Sequence, residues 1–232
     1  SEAWGVFGSL FYQFDNGLRL QGGVRYNDDN RDFTASRPVD TRPGFLGFGG
    51  PVAPVSTSVG DEVLTWDLAA TMPASEDVNL YARVARGYRA PAVQGRVLFG
   101  RELSVADSET TMSYEAGIKS ILADGKVRLN LGGYYFTTED LQLTAVGGAN
   151  NFTTLLNAEE VKGFGFEAEL QARPIEGVEF AAGLSYNDTE INDPAAFVAG
   201  CGAPCTVLDP ERTPGSNIFS IDGNRLPQAP KW

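Results

Sequence analysis

The sequence predicts an all-β chain: an antiparallel up-and-down sheet that forms part of the wall of a transmembrane β-barrel. Apolar and polar residues alternate over about eight stretches between Ala3 and Asn192, which is the period of a strand with one oily and one wet face. The connections between these stretches alternate between short and long. Several stretches reach the ~9 to 11 residues with which a tilted strand crosses a bilayer, more than the roughly 5 to 6 usual in globular sheets.

Alternation is clearest in six of the stretches. In chain order, their apolar rows run over Leu18 to Tyr26, Leu64 to Met72, Leu80 to Val84, Val127 to Leu131, Phe164 to Ala172 and Val178 to Tyr186. The fourth row shows the period best, because polar Arg128 and Asn130 separate its three apolar residues. The two sets of side chains are therefore expected on opposite faces of one strand.

The connections differ in length in a regular way. The short ones are Asp15–Gly17, Pro73–Asp77, Asp124–Gly125 and Pro174–Gly177, and the long ones are Arg37–Gly60, Arg89–Glu109 and Asn192–Arg225. One intervening connection, Gly147–Asn151, is compact. Short turns at one rim and long loops at the other are typical of an outer-membrane barrel, whose turns face the periplasm and whose loops face outside.

A soluble β-sandwich is the main alternative for any alternating pattern. The wet rows carry Arg, Glu, Gln and Asn in the middle of strands, which the dry core of a sandwich does not accept. The apolar rows mix small residues such as Ala82, Ala168 and Ala182 with large ones, which lipid tolerates because it requires no close fit. Both features favour the membrane barrel.

The composition excludes several classes of protein. The chain has 232 residues, a formal net charge of -12 and no run of eighteen apolar residues, so a transmembrane helix is excluded. An acidic chain does not suit a nucleic-acid partner, because phosphate binding needs a basic surface. The absence of histidine, of a Gly-x-Ser-x-Gly motif and of a phosphate-binding glycine loop argues against an enzyme.

Two cysteines, Cys201 and Cys205, lie in the last long connection. A local disulfide across the intervening Gly and Pro is favoured for an oxidising compartment. Two free thiols and half of a metal site are the alternatives. The metal site is the weaker of these, because the chain has neither a histidine nor a second cysteine pair.

Five segments of the chain resemble, in the same order, the barrel domain of TonB-dependent outer-membrane receptors. They are Asn79 to Pro91 with its Gly-Tyr-Arg-Ala-Pro end, Ser113 to Ser120, Tyr134 to Gln142, Asn157 to Glu167, and Leu226 to Trp232. Within them, Gly163 and Gly165 are interpreted as positions where a strand bends, and Gly87 and Pro91 as breaks where a strand leaves the membrane.

The resemblance implies a barrel of about 22 strands, of which this chain would supply about eight and the opening of a ninth at Leu226. Residues 1–232 are then an internal piece of the barrel domain, without signal peptide, plug domain or barrel C-terminus, and form an open curved sheet when isolated. The implied function is active uptake of a scarce ligand of siderophore, vitamin or carbohydrate type, driven by the TonB complex through the plug. No cofactor and no catalytic residue are implied.

Arg83, Arg89, Arg96 and Arg101 form the one basic cluster of this acidic sequence and are the candidate ligand-binding residues. They suit an anionic ligand such as an iron chelate. The competing hypothesis is that they pair with neighbouring acids or with lipopolysaccharide. Neither a metal site nor a catalytic site is predicted.

Two other functions stay open at this point. One is a small closed barrel of eight strands with a structural or anchoring role in the outer membrane. The other is a secreted β-sandwich that binds a carbohydrate.

Overall fold

The computed structural model describes residues 1–37, 51–95, 103–147, 152–200 and 207–232. The strands in these residues are β1 (Glu2–Gln13), β2 (Arg19–Arg37), β3 (Val52–Pro73), β4 (Val78–Arg89), β5 (Ala92–Gln94), β6 (Ser104–Ala106), β7 (Glu109–Leu122), β8 (Val127–Gly147), β9 (Phe152–Ala172), β10 (Phe180–Asn192), β11 (Phe197–Ala199) and β12 (Ile218–Ser220). The described residues contain no helix that is long and apolar enough to cross a membrane.

Eight strands form one antiparallel sheet in the order β1-β2-β3-β4-β7-β8-β9-β10. Apart from the small pairs β5–β6 and β11–β12, neighbours in the chain are neighbours in the sheet. β1 and β10 are its two edges, so the sheet is open. This confirms the predicted all-β, up-and-down wall, and it agrees neither with a closed eight-stranded barrel nor with a two-layered sandwich.

Tight turns join the strands at one end of the sheet, as predicted. Gly17, Gly125 and Gly177 adopt positive φ angles of 85°, 83° and 78°, which glycine reaches without strain. At Gly17 the turn also packs closely, because a Cβ there would lie 2.6 Å from Cγ of Pro73 in the neighbouring turn. The short connections therefore follow from glycine and its turn-forming neighbours.

The opposite end of the sheet is more ordered than predicted. β2 and β3 pair up to Arg37 and Val52, so the expected loop Arg37–Gly60 contains nearly half of β3. The reason is visible in the sequence, where Val55, Thr57 and Val59 alternate with serines and suit a strand through their β-branched side chains. Residues 38–50 lie outside the described part of the chain.

The other two long connections each contain a short two-stranded sheet: β5–β6 lies between β4 and β7, and β11–β12 follows β10. β8 and β9 stay paired up to Gly147. Each of these two strands is therefore about twice as long as a strand needs to be to cross a bilayer. Residues 148–151 of the predicted compact connection lie outside the described ranges.

The cross-strand register assigns every side chain of the sheet to one of two faces, because directly opposed residues point the same way. The apolar face carries the ladder Leu20, Ala70, Ala82, Ala116, Gly133, Phe166 and Tyr186. Large apolar side chains on this face, such as Leu68 and Leu184, are 55% and 54% exposed, because no second layer covers them. Such a face suits lipid, as predicted.

The polar face carries the ladder Gln21, Ala69, Arg83, Glu115, Tyr134, Gly165 and Asn187. A small hydrophobic core lies near the loop end of the sheet. It contains buried Ala158, Val161 and Ile191, against which Leu141, Leu143, Ile221 and Leu226 pack.

The predicted ninth strand at Leu226 is not formed as a strand. Residues 223–232 nevertheless follow the free edge of β10, where the Asn187 amide donates to the Lys231 carbonyl at 2.9 Å. Pro227 and Pro230 lack the N–H groups that a ladder requires, which explains the interruption. An ion pair of 3.1 Å to Asp188 also holds Lys231.

Candidate ligand-binding site

Arg83 lies on the polar face in the middle of β4, opposite Glu115 of β7. Its Nε lies 3.9 Å from Oδ2 of Asp67 on β3. The two side chains are 47% and 28% exposed, and ion pairs of this kind contribute only ~0–1 kcal/mol to stability. The other N–H groups of the guanidinium are therefore free to meet a further acceptor.

Beside Arg83, the polar face contains a recess of about 530 Å³, bordered by β1, β2, β3, β4 and β7. Small residues make room for it, since Gly23, Ala85 and Gly87 line it without long side chains. The larger side chains around it are Phe7, Arg25, Thr65, Asp67, Arg83 and Thr111. Trp66 and Arg86 also border the recess, but the register places their side chains on the apolar face, so the recess combines the guanidinium groups of Arg25 and Arg83 with one carboxylate and one aromatic ring.

Arg25 is the second cation of the recess. Its Nε donates to Oδ1 of Asn27 at 2.6 Å, and its guanidinium carbon lies 5.7 Å from the centre of the Phe7 ring. Gly5 leaves space for this arrangement, because a Cβ there would lie 2.7 Å from Nη2 of Arg25. The alternation of the row Leu18 to Tyr26 is enough to put Arg25 on the polar face, but only the register of β2, β3 and β4 brings it near Arg83.

This arrangement suits the binding of an anion. Arginine presents a planar fork of donors that matches carboxylate-like oxygens in pairs, and it stacks on aromatic faces. The recess carries two such forks and one lining carboxylate, Asp67, and Glu115 lies directly opposite Arg83 on the same face. The two guanidinium groups are therefore the donors that an incoming anion meets there, beside two acids.

Arg89, another of the predicted residues, lies at the end of β4 and not beside Arg83. The two are six positions apart on one strand, which corresponds to about 20 Å. Nη1 of Arg89 lies 3.8 Å from Oε1 of Glu109, and the arginine side chain is 63% exposed. Arg83 and Arg89 thus each face an acid, as the competing hypothesis expects, while both remain open to solvent.

Four residues singled out by the sequence analysis lie outside the described ranges. Arg96 and Arg101 belong to residues 96–102, and Cys201 and Cys205 belong to residues 201–206. The ligand-binding role of the two arginines and the disulfide between the two cysteines remain predictions.

The glycines of β9 have a more specific role than the predicted bending. Gly163 and Gly165 lie directly opposite Phe136 and Tyr134 on β8. The rings of these aromatic residues lean over the glycines, and a Cβ at Gly165 would lie 2.5 Å from the Tyr134 hydroxyl oxygen. Glycine is therefore required at Gly165 so that a ring can lie flat on the polar face.

The geometry and the sequence agree with one family. A family model described as TonB dependent receptor-like, beta-barrel, matches residues 1–232. The chain belongs to this family, whose members are outer-membrane proteins that work with TonB, and it is accordingly a protein of the bacterial outer membrane. In such barrels the polar face lines the lumen.

Individual relatives and solved structures are similar to the chain at 26% identity or less. The chain is 26% identical to the pesticin receptor of Yersinia pestis over 232 residues, which is 100% of this chain and 29% of that receptor. Among solved structures, the ferric yersiniabactin uptake receptor of Yersinia pestis has a TM-score of 0.65 at 20% identity, over 82% of this chain and 27% of that one. The copper transporter OprC has a TM-score of 0.64 at 17% identity, over 82% and 29%. These relatives are receptors and transporters rather than enzymes, and the chain spans less than a third of their length.

Proposed function

We propose that this chain is part of the wall of an outer-membrane receptor that takes up an anionic metal chelate with energy from the TonB complex. The observation that carries the proposal is the recess on the polar face, with Arg25 and Arg83 at its border. The similarity to a ferric yersiniabactin uptake receptor and to the pesticin receptor supports this ligand class. The proposed role is binding and passage of a ligand, without bond chemistry.

Two observations support a place in a larger barrel. The sheet is open, and the chain covers less than a third of the length of its relatives. β1 has no neighbouring strand on its outer side, and β10 is met there only by the irregular residues 223–232, so a barrel would close both edges with further strands. The contact with TonB is proposed to run through parts of the receptor beyond these residues. In this arrangement the chain supplies ligand contacts and lipid contacts.

Capture of the ligand follows from the weakness of the existing ion pair. Arg83 and Asp67 are 3.9 Å apart and partly solvated, so their ion pair is weak. An incoming carboxylate or phenolate oxygen therefore has to displace only water from the guanidinium of Arg83, and no strong bond is broken. Charge-assisted hydrogen bonds of this kind are stronger than neutral ones. Arg89, with Arg96 and Arg101, is proposed to make the first contacts at the entrance.

Lipid and lipopolysaccharide are the proposed partners of the apolar face. The aromatic pair Trp4 and Tyr26, with ring centres 5.4 Å apart, suits the level of the headgroups. Arg86 is placed on the same face by its register with Trp66, and its guanidinium is proposed to meet lipopolysaccharide phosphates.

The test is binding of ferric yersiniabactin and of a ferric catecholate to the purified intact receptor. Arg25→Gln and Arg83→Gln are each expected to weaken binding of the recognised chelate by roughly tenfold or more, because each removes a charge-assisted hydrogen bond. Arg128→Gln is the matched control, since Arg128 lies on the polar face near the short turns and away from the recess. Unchanged affinity in both recess variants, with an unchanged control, rules out the recess as the site.

A second set of variants tests the entrance. Neutralising Arg89, Arg96 and Arg101 together is expected to weaken capture of the same chelate. Unchanged affinity of that triple variant excludes these three arginines from ligand contact.

A further inference from the structure

The side chain of Gln142 on β8 binds both ends of the connection between β4 and β7. Nε2 of Gln142 donates to the carbonyl of Ala90 at 2.8 Å and to the carbonyl of Asp107 at 3.0 Å. The backbone N–H of Gln142 donates to Oε2 of Glu109 at 2.7 Å. Gln142 is only 9% exposed, so these bonds form in a largely dry environment where they are strong.

Asn157 of β9, directly opposite Gln142 in the register, holds the same point of the connection. Its Oδ1 accepts the N–H of Asp107 at 2.8 Å, and its Nδ2 donates to the carbonyl of Asp107 at 3.0 Å. Nδ2 also donates to the carbonyl of Asp140 at 2.6 Å. The side-chain amide thus satisfies both backbone groups of Asp107, as a neighbouring strand does.

Further contacts attach the small β5–β6 sheet to the surrounding strands. The Leu155 N–H of β9 donates to Oγ of Ser104 at 2.9 Å, and Ala106 is fully buried. On the other side, the hydroxyl of Ser108 donates to Asp61 of β3. The connection therefore bridges the β2–β3 and β8–β9 hairpins.

We propose that Gln142 and Asn157 form an amide clasp, a pair of positioning residues that holds the β5–β6 sheet against β9 at the loop end of the main sheet. The recess is lined by Gly87 and Thr111, and the clasped residues Ala90 and Asp107 lie within a few positions of these two along the chain. A fixed β5–β6 sheet keeps the entrance in the geometry that admits the ligand. Loss of the clasp weakens capture and leaves the later transport steps unchanged. This inference rests on the proposed uptake function.

The first readout needs no ligand. In the intact receptor, Gln142→Ala and Asn157→Ala are expected to speed amide hydrogen exchange in residues 90–95 and 103–109 by roughly three- to tenfold for each net hydrogen bond lost. Both side chains bind the carbonyl of Asp107, so their contributions overlap. The fold-increase in exchange in the double variant is therefore expected to be smaller than the product of the two single-variant increases. Gln171→Ala is the matched control, on the polar face at the short-turn end of β9, and leaves this exchange unchanged.

The second readout separates positioning from general destabilisation. At equal surface abundance, the clasp variants are expected to raise the half-saturation concentration for uptake of ferric yersiniabactin severalfold and to leave the maximum rate unchanged. A variant that merely folds poorly places fewer receptors at the surface, and once abundance is equalised its half-saturation concentration is unchanged. Asn157→Asp keeps the acceptor for the Asp107 N–H but sets a carboxylate oxygen against the carbonyls of Asp107 and Asp140, so its effect is expected to be at least as large as that of Asn157→Ala.

The outcomes are distinct. The clasp is overturned if amide hydrogen exchange at residues 103–109 is unaltered in both single variants. It is also overturned if Gln171→Ala speeds this exchange as much as the clasp variants do. Faster exchange with an unaltered half-saturation concentration overturns its role in capture. If the unaltered receptor takes up no ferric chelate while exchange still responds, the anchoring by the clasp stands and the proposed uptake of a chelate fails.

Discussion

At the residue scale, the polar face depends on glycines that lie beneath aromatic rings. Tyr81 covers Gly117 and Gly132 on neighbouring strands, and Tyr134 covers Gly165. Such pairs compensate for the poor strand propensity of glycine, because the ring shields the backbone that a side chain would otherwise cover.

A glycine substitution tests this packing. Gly165→Ala is expected to destabilise the receptor by about 1–3 kcal/mol, because the new methyl group meets the Tyr134 hydroxyl and the Tyr186 carbonyl. Gly183→Ala on the adjacent strand is the control, since a Cβ there has nothing within 4 Å. Thermal unfolding of the two purified variants is the measurement, and equal melting temperatures would contradict the packing role.

At the scale of the element, the period of each strand could be predicted from the sequence with little ambiguity. Val127 to Leu131 alternate as expected, and the short turns fall where Gly, Asp and Pro are concentrated. The first half of β3 was missed because Val52–Gly60 carries small polar residues that resemble a loop. The ninth strand was wrongly predicted, because the two prolines after Leu226 outweigh its otherwise suitable pattern.

The two faces of β8 permit a matched test of orientation. Leu131→Arg, on the apolar face where Leu131 is 41% exposed, is expected to cost up to about 2–4 kcal/mol in a bilayer and to reduce assembly. Asn130→Arg at the adjacent position points to the polar face and is expected to be tolerated. Surface abundance and resistance of the folded form to heating measure both. Equal damage from the two substitutions would contradict the assignment of the faces.

At the scale of the whole molecule, the site could be predicted only in part. The sequence indicated arginines on the wet face, including Arg83, but the recess joins Arg25 of β2 to Arg83 of β4 through the register of three strands. Pairing of that kind is not encoded in any local pattern. The amide clasp of Gln142 and Asn157 was equally invisible, because it depends on a connection of almost twenty residues returning to its starting point.

The open sheet leads to a prediction for the isolated chain. With β1 unpaired at one edge and β10 bordered only by the irregular residues 223–232 at the other, residues 1–232 expressed alone are expected to aggregate rather than to form a heat-resistant barrel. Electrophoresis with and without heating distinguishes the two outcomes. A compact, heat-modifiable monomer in lipid would show that these strands close on themselves.

The proposed receptor takes up an anionic chelate with energy supplied through TonB. The most direct measurement is accumulation of radioactive iron from ferric yersiniabactin in cells that carry the intact receptor, with and without TonB. We expect accumulation that requires TonB and declines in the Arg83→Gln variant but not in Arg128→Gln. Accumulation that is independent of TonB, or indifferent to Arg83, would contradict this proposal.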